Sequence, residues 1–193
     1  MIIKLLWSKL IPTELKNNYK PPLGFSAPDQ FIAQQVNVLD VVPDPKQSRR
    51  NVRIRKIDDP NHPCFGAYGL FAAQVLQPKS HVIDYLGVVE YKEAYNQKSD
   101  YVLRLGPDLS IDAEKIGNEG RFCNDYRGIG QKPNVCFLNY MDRRTKEVKV
   151  GVFVIGKEKI KKGEELLVTY GKSFWKSRGV DFTERQFMDG PSS

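Results

Sequence analysis

The residues best suited to chemistry lie in the run Gly163–Gly171 (GEELLVTYG) near the carboxy-terminal end. Tyr170 follows an apolar stretch typical of a buried strand, and Phe174 and Trp175 come four and five positions later. A tyrosine held rigidly behind a strand and flanked by aromatic rings suits a reaction on an amine that needs no metal. From this run alone, the alternative is an aromatic core residue at the end of a strand.

A second set of candidates lies upstream and suits a small polar ligand. Gly69 lets the backbone come close to a ligand, and the Tyr68 ring can cover a flat group. Arg121 and Asn124 offer directional hydrogen bonds to a carboxylate and an amine. The plainer alternatives are an ordinary turn, a surface salt bridge for Arg121 and a turn-forming side chain for Asn124.

Short strands separated by turns must position these residues. The predicted strands are rich in β-branched and aromatic residues and comprise Val52–Ile57, His81–Tyr91, Tyr101–Leu105, Asn134–Tyr140 and Val148–Val154. No long stretch has the period of an amphipathic helix, so a parallel sheet with crossover helices is not expected. We predict a mostly β domain of small sheets, with short helices near residues 112–122 and 183–188.

Length and composition favour one compact domain with an extension. The chain has 193 residues, 40% of them apolar, and a net charge of +7, which is compatible with acidic or nucleic-acid partners. Cys64, Cys123 and Cys136 are odd in number and lack the spacing of zinc ligands, so we expect reduced thiols, an intracellular protein and no metal site. Met1–Leu6 is too short to span a membrane, and no membrane partner is expected.

Residues 1–50 are predicted to be an extension, partly helical or irregular, because prolines interrupt them. Ser26 and Pro28 favour the start of a short helix that runs to Val36. The basic residues between Lys46 and Lys56 suit either a phosphate-binding patch or, as we favour, the solvated face of a first strand.

Four segments then stand in a definite order along the chain. They are Phe65–Ala72 (FGAYGLFA), Asp84–Gly87 (DYLG), Gly117–Asp125 (GNEGRFCND) continuing to Pro133–Val135, and Glu165–Gly171 (ELLVTYG). In this order and spacing they resemble the motifs of SET-domain protein lysine methyltransferases, over roughly residues 52–178.

The resemblance implies a SET-domain fold of small curved sheets with a pseudoknot-like threaded carboxy-terminal segment and a few short helices. The SET domain would occupy residues 51–178, with residues 179–193 replacing a zinc-bound tail, so no structural zinc is expected. The implied cofactor is S-adenosyl-L-methionine, and Tyr170 is the implied catalytic tyrosine. The lysine channel would be lined by Tyr85, Tyr101, Val168, Phe174 and Trp175. The cofactor would be bound by Ala67, Tyr68, Gly69, Tyr101, Arg121, Phe122, Asn124, Asp125, Tyr170 and Phe174.

Three positions depart from the usual SET pattern. Ala67 replaces the first glycine of the turn, which is tolerable if its φ is negative. Asp125 replaces a histidine whose backbone contacts adenine in the family, and its carboxylate would either shift the affinity for the cofactor or pair with Arg121 or Arg127. Val168 stands where relatives often have Phe or Tyr, and it predicts products beyond monomethyl-lysine.

The function favoured by the resemblance is methylation of a histone-tail lysine by a nuclear chromatin regulator. An acidic groove would take the tail and would draw on Asp84, Glu90, Glu93 and Asp100. The alternatives are a catalytically silent SET-like module that binds protein or nucleic acid, a pure nucleic-acid binder, and a cytoplasmic location with a non-histone substrate. Residues 143–162 carry eight Lys or Arg against Glu147 and Glu158, which suits nucleosomal DNA contact as well as the silent module.

Overall fold

The computed structural model describes residues 39–41, 50–91 and 98–180, and for 39–41 the backbone alone. The strands are β1 Leu39–Val41, β2 Val52–Lys56, β3 Tyr68–Ala72, β4 His81–Asp84, β5 Val88–Tyr91, β6 Val102–Leu105, β7 Leu109–Asp112, β8 Asn124–Asp125, β9 Val135–Asp142, β10 Glu147–Val154 and β11 Leu167–Val168. A 3-10 helix spans Glu119–Phe122 and helix α1 spans Lys172–Lys176.

The strands form four small sheets. One has the order β1-β9-β10-β4, a second the order β5-β7-β6, and the pairs β2-β3 and β8-β11 complete the set. The hairpin of β9 and β10 keeps its register from Glu147 opposite Asp142 to Val154 opposite Val135. The predicted mostly β architecture of small sheets is therefore confirmed.

Strand β10 is more deeply buried than its alternating valines predicted. Gly151 and Phe153, which lie between the valines, are buried as well. The reason is that β10 lies between β9 and β4 in the sheet, and other side chains cover both of its faces. A Cβ on Gly151 would lie 2.8 Å from the Phe153 ring, so a glycine is needed there.

The predicted single strand over His81–Tyr91 is two strands, β4 and β5, separated at Tyr85–Gly87. Gly87 lies so close to β7 that a Cβ would meet the carbonyl oxygen of Asp112 at 2.4 Å. The break turns the chain from the four-stranded sheet to the three-stranded one. It also places Tyr85 between them, beside Phe137.

The helix predicted near residues 112–122 is reduced to the 3-10 turn at Glu119–Phe122. Side-chain hydrogen bonds explain the difference. The Asp112 carboxylate accepts from the backbone N–H of Glu114 at 2.8 Å, which makes a tight turn rather than a helix. The Asn118 amide bonds to the backbone of Asp84 and Leu86 and holds the following loop against β4.

Strand β1 lies within the predicted extension and pairs in parallel with β9, from Leu39 opposite Tyr140 to Val41 opposite Asp142. Part of the extension thus belongs to the main sheet, which the sequence did not predict. The helix expected from Ser26 to Val36, the helix near 183–188 and Glu93 lie outside the described residues. Within the described ranges, no helix has the length and apolarity to span a membrane.

The turn of the β9-β10 hairpin contains a buried ion pair. Lys149 donates to Asp142 over 2.6 Å, the Asp142 side chain has no exposed surface, and that of Lys149 is 10% exposed. Burial alone would raise the pKa of Asp142, but hydrogen bonds from Lys149 and from the Arg144 backbone outweigh it and lower that pKa.

Replacement of the cation, Lys149→Met, is expected to lower the free energy of unfolding by about 3–5 kcal/mol, because Asp142 would remain buried without its partner. Urea denaturation at pH 7 measures the change. Because the folded pKa of Asp142 is depressed, its contribution exists above the unfolded pKa of about 3.9 and is lost as the pH falls further. The penalty should therefore shrink in acid. Arg144→Met, at a half-exposed partner, is the control and should cost less than about 1 kcal/mol.

Candidate functional site

The carboxy-terminal run lies between two segments from earlier in the chain. On one side, the backbone of Leu166 donates to Leu70 of β3 over 2.7 Å. On the other side, β11 pairs in parallel with β8, with Leu167 opposite Asn124. The side chain of Asn134 bonds to this run through Leu167 N at 2.8 Å. These contacts bring Tyr170 next to the segment that ends in Asn124, as the resemblance implies.

Tyr170 is held at both ends. Its hydroxyl donates to the carbonyl oxygen of Cys123 over 2.9 Å, and its backbone N–H donates to Asp125 Oδ2 over 2.7 Å. Burial raises the pKa of the Tyr170 hydroxyl above its ordinary value, and the nearby Cys123 and Cys64 thiols add to the shift. The hydroxyl is therefore protonated near neutral pH and suited to orienting a substrate by hydrogen bonding.

The aromatic residues of α1 pack around Tyr170. The Phe174 ring lies 4.7 Å from the Tyr170 ring, centroid to centroid, and Trp175 stacks on Tyr170 at 6.0 Å. The Arg178 guanidinium lies 3.6 Å from the centroid of the Phe174 ring and forms an ion pair with Asp100. Phe174 and Trp175 thus lie against Tyr170, and their role in lining a lysine channel stays a prediction.

The residues predicted to line the lysine channel differ in their burial. Tyr101, Phe174 and Trp175 are partly exposed. Tyr85 is only 3% exposed and donates its hydroxyl to the Tyr101 carbonyl over 2.7 Å, so it supports Tyr101 from beneath. Val168 has no exposed surface and belongs to the main core cluster. Contrary to the sequence expectation, its side chain borders no opening here, because β11 presents it to the core.

The turn at Phe65–Gly69 presents aromatic side chains to solvent. Tyr68 is 49% exposed, and its ring meets Phe122 edge to face at 6.4 Å. The left-handed backbone of this turn falls on Gly66, with φ of 82°. Ala67 is not among the described non-glycine residues with positive φ. The substitution of alanine for the usual glycine is therefore tolerated without backbone strain.

Arg121 is anchored rather than extended into solvent. Its Nη1 donates to the Glu114 carbonyl over 2.9 Å, and its guanidinium lies 4.0 Å from the centroid of the Tyr101 ring. A guanidinium has five N–H donors, so this anchoring is compatible with a role toward a carboxylate. The stacking also joins Arg121 to the tyrosine predicted to serve both the cofactor and the channel.

Asp125 connects three parts of the site. Its carboxylate accepts from Arg127 Nη1 at 2.8 Å, from Tyr170 N at 2.7 Å and from Trp175 Nε1 at 3.2 Å. Its side chain is 4% exposed and that of Arg127 is 13% exposed. The expected pairing of Asp125 with an arginine is confirmed for Arg127. Asp125 thus joins Arg127, the backbone of Tyr170 and the Trp175 ring from within the protein.

Sequence reasoning missed two residues beside Asn124. Glu165 Oε1 accepts from Asn124 Nδ2 over 2.8 Å, and Glu165 Oε2 lies 3.0 Å from His62 Nε2. Glu165 was visible in the carboxy-terminal run, where its apolar neighbours dominated the pattern. The signal that could have found His62 is its rarity, because the chain has only two histidines.

The charged surfaces differ from their predicted arrangement. Asp84 does not line an acidic groove, because its carboxylate is bonded to His81 at 2.8 Å and to Tyr140 at 2.5 Å. Asp100 is paired with Arg178. Apart from Lys149, which is buried in β10, the basic residues of 143–162 lie before and after that strand, whose ends are about 25 Å apart by the rise of a strand. In the described ranges, no group of three His, Cys, Asp or Glu residues is arranged to hold a metal ion.

Known proteins similar to this chain share its site region. The family model of the SET domain matches residues 67–171, which include Arg121, Asn124 and Tyr170, while His62 and helix α1 lie outside the match. A histone-lysine N-methyltransferase, H3 lysine-36 specific, from Gibberella zeae is 31% identical over 113 residues, covering 53% of this chain and 11% of that protein. Proteins with the same description from Emericella nidulans and Coccidioides immitis are 29% and 30% identical over 113 residues. The alignment with each of the three spans only about a tenth of the relative. On the match to residues 67–171, more than half of its length, the chain belongs to the SET domain family.

Proposed function

We propose that the chain is an S-adenosyl-L-methionine-dependent protein lysine N-methyltransferase with Tyr170 as its catalytic tyrosine. The observation that supports the proposal is the Tyr170 hydroxyl, kept protonated by burial and held by the Cys123 carbonyl beside the rings of Phe174 and Trp175. Because its proton is donated to Cys123, the hydroxyl oxygen offers its lone pairs to the amine, and a group fixed in this way costs no reorganisation when positive charge develops near it.

The residues predicted for the cofactor fit a ligand that carries an amine, a carboxylate and an adenine. Asn124 lies at the junction of β8 with β3, and Arg121 lies across the Tyr101 ring. Tyr68 presents an exposed ring, and Phe122 lies edge-on to it. When bound, S-adenosyl-L-methionine supplies a methyl group on a sulfonium, and the protein supplies the environment for the acceptor amine.

The acceptor amine must lose its proton before it can be methylated. A lysine has a pKa of about 10.4, so the neutral form costs on the order of 4–5 kcal/mol near pH 7. Tyr101, Phe174 and Trp175 are placed to exclude water from the ammonium and so to lower that cost. Tyr170 then orients the amine through its hydroxyl and stabilises the charge near the transferred methyl.

This arrangement predicts an activity that rises with pH. The substrate lysine loses its proton as the pH approaches about 10, while the raised pKa of Tyr170 keeps its hydroxyl protonated over the same interval. Single-turnover rates from pH 6 to pH 10 should rise and then level off once the bound lysine is neutral, without a falling limb. A falling limb that disappears in Tyr170→Phe would contradict the assignment of a protonated tyrosine.

The proposed substrate is a lysine of a histone tail, and the proposed location is the nucleus. The support is the description of the relatives, whose names specify histone H3 lysine 36. The basic residues at both ends of β10 are proposed to contact nucleosomal DNA. We expect products beyond monomethyl-lysine. Because Val168 is buried, any effect of this residue on the number of methyl groups transferred acts through the packing of the core.

Two measurements test the proposal. Isothermal calorimetry with S-adenosyl-L-methionine should show binding, and a methyl-transfer assay should label core histones or nucleosomes. A catalytically silent module predicts no heat of binding. An aspartate at position 125, where the family usually has histidine, favours the silent module on sequence grounds. The three contacts of its carboxylate at 2.7–3.2 Å favour an intact site instead.

A further inference from the structure

The orientation of the Asn124 side chain is determined by its neighbours. Its Nδ2 lies 2.8 Å from Glu165 Oε1 and 3.3 Å from the carbonyl oxygen of Tyr68. A carboxylate and a carbonyl only accept hydrogen bonds, so the amide must direct its NH₂ group toward both. Asn124 Oδ1, an acceptor, is consequently directed away from Glu165 and Tyr68.

Glu165 is itself held in place by His62. The backbone N–H of Cys64 donates to His62 Nδ1 over 3.0 Å, which makes Nδ1 an acceptor and places the ring proton on Nε2. Nε2 then donates to Glu165 Oε2 over 3.0 Å. The side chains of His62 and Glu165 are only 9% and 10% exposed, so the hydrogen bonds are shielded from water.

The space for Glu165 exists because residue 69 is glycine. A Cβ on Gly69 would lie 2.5 Å from Glu165 Oε1 and 3.1 Å from Asn124 Nδ2. The carboxylate therefore packs directly against the backbone of the Tyr68–Gly69 turn. This contact joins the turn, the carboxy-terminal run and β8 at a single point.

We propose that His62 and Glu165 are positioning residues that fix Asn124 so that its Oδ1 accepts a hydrogen bond from the amino group of the bound cofactor. The inference rests on the proposed function. The Glu165 carboxylate can only accept hydrogen bonds, so it excludes the flipped orientation of the Asn124 amide. In that orientation the NH₂ group of Asn124 would face the amino group of the cofactor, and two donors would meet. The negative charge of Glu165 behind the amide also strengthens the acceptor that the amine meets.

Two ligands separate this role from a merely structural one. S-adenosylhomocysteine carries the amino group, and methylthioadenosine keeps the adenosine and sulfur but lacks the amino-acid part. Glu165→Gln introduces a donor that permits the flipped amide, and it is expected to weaken binding of S-adenosylhomocysteine by about 10–100-fold. Binding of methylthioadenosine should change by less than about twofold. Calorimetry measures both.

The matched control is Glu164→Gln, because Glu164 is the exposed neighbour and its carboxylate accepts from the Lys161 backbone. It should leave both affinities unchanged. Equal losses for the two ligands in Glu165→Gln, or no loss for either, would overturn the positioning role. If the wild-type chain binds neither ligand, the proposed function fails first, and the positioning role fails with it.

A second comparison tests the inference if Glu165→Gln does not fold or if methylthioadenosine binds too weakly to be measured. His62→Gln retains a donor toward Glu165, while His62→Leu removes it, so affinity for S-adenosylhomocysteine should be greater in the glutamine variant. In an Asn124→Ala background the two His62 variants should bind equally, because the residue through which His62 acts is gone. A difference that persists there would refute the inference.

Discussion

Replacement of the tyrosine that we propose as catalytic, Tyr170→Phe, is expected to reduce methyl transfer by about 10²–10³-fold while leaving the protein folded. The reason is that the ring can still pack against Phe174 and Trp175 while the hydroxyl oxygen that would meet the amine is lost. Removal of one preorganised hydrogen-bonding group at a reacting centre has this magnitude in other enzymes. A methyl-transfer assay on nucleosomes under single-turnover conditions measures the loss.

The control for this variant is Tyr91→Phe, which removes a hydroxyl from a partly exposed tyrosine of β5. It should retain wild-type activity. Calorimetry should show that Tyr170→Phe still binds the cofactor, which would separate a defect in catalysis from one in binding. Full activity of Tyr170→Phe would overturn the assignment of Tyr170.

Replacement of the buried carboxylate, Asp125→Ala, is expected to destabilise the fold by about 3–5 kcal/mol. Arg127 would lose the carboxylate of its buried ion pair, and the N–H groups of Tyr170 and Trp175 would lose the oxygen that Asp125 offers them. Urea denaturation measures the free energy of unfolding, and activity should fall as well because Tyr170 is no longer held at its backbone.

Asp108→Ala, at an exposed acidic position, is the control and should change the stability by less than about 1 kcal/mol. Restoration of the usual residue, Asp125→His, should not restore the stability of the wild-type chain, because an imidazole cannot accept all three hydrogen bonds. A stable Asp125→Ala protein with normal activity would show that the carboxylate is dispensable.

The proximity of the segments that contain Asn124 and Tyr170 was predictable from sequence because these residues lie in compact motifs. Tyr170 follows an apolar run, and Asn124 lies in a segment with Arg121 and Phe122. The structure brings Tyr170 and Asn124 together through the pairing of β8 and β11. A pattern local in sequence was enough here, since each motif carries its own strand or turn.

His62 was not predictable by the same reasoning. Its role depends on Glu165, more than a hundred positions later, and on a backbone N–H two residues later that fixes the tautomer. Neither contact leaves a periodic signal. The Asp112 turn was missed for a related reason, because a side chain that bonds to the backbone competes with helix formation in a way that composition does not reveal.

The position of Val168 shows a further limit of motif reasoning. Its spacing from Tyr170 indicated a channel wall, but the parallel pairing with Asp125 presents its side chain to the core. Strand direction and register determine which face a residue occupies, and a residue count from a neighbouring tyrosine does not supply them.

The placement of the carboxy-terminal run between β3 and β8 has a consequence for the order of folding. The backbone hydrogen bond from Leu166 to Leu70 and the pairing of Leu167 with Asn124 each join segments far apart in sequence. The site around Tyr170 therefore forms only after the chain has closed two long loops. Loop closure of this kind is slow, and contacts local to the β9-β10 hairpin precede it. Pulsed hydrogen exchange during refolding should therefore protect the hairpin amides before those of Leu166 and Tyr170. A nascent chain would bring Tyr170 beside Asn124 only after β11 has left the ribosome.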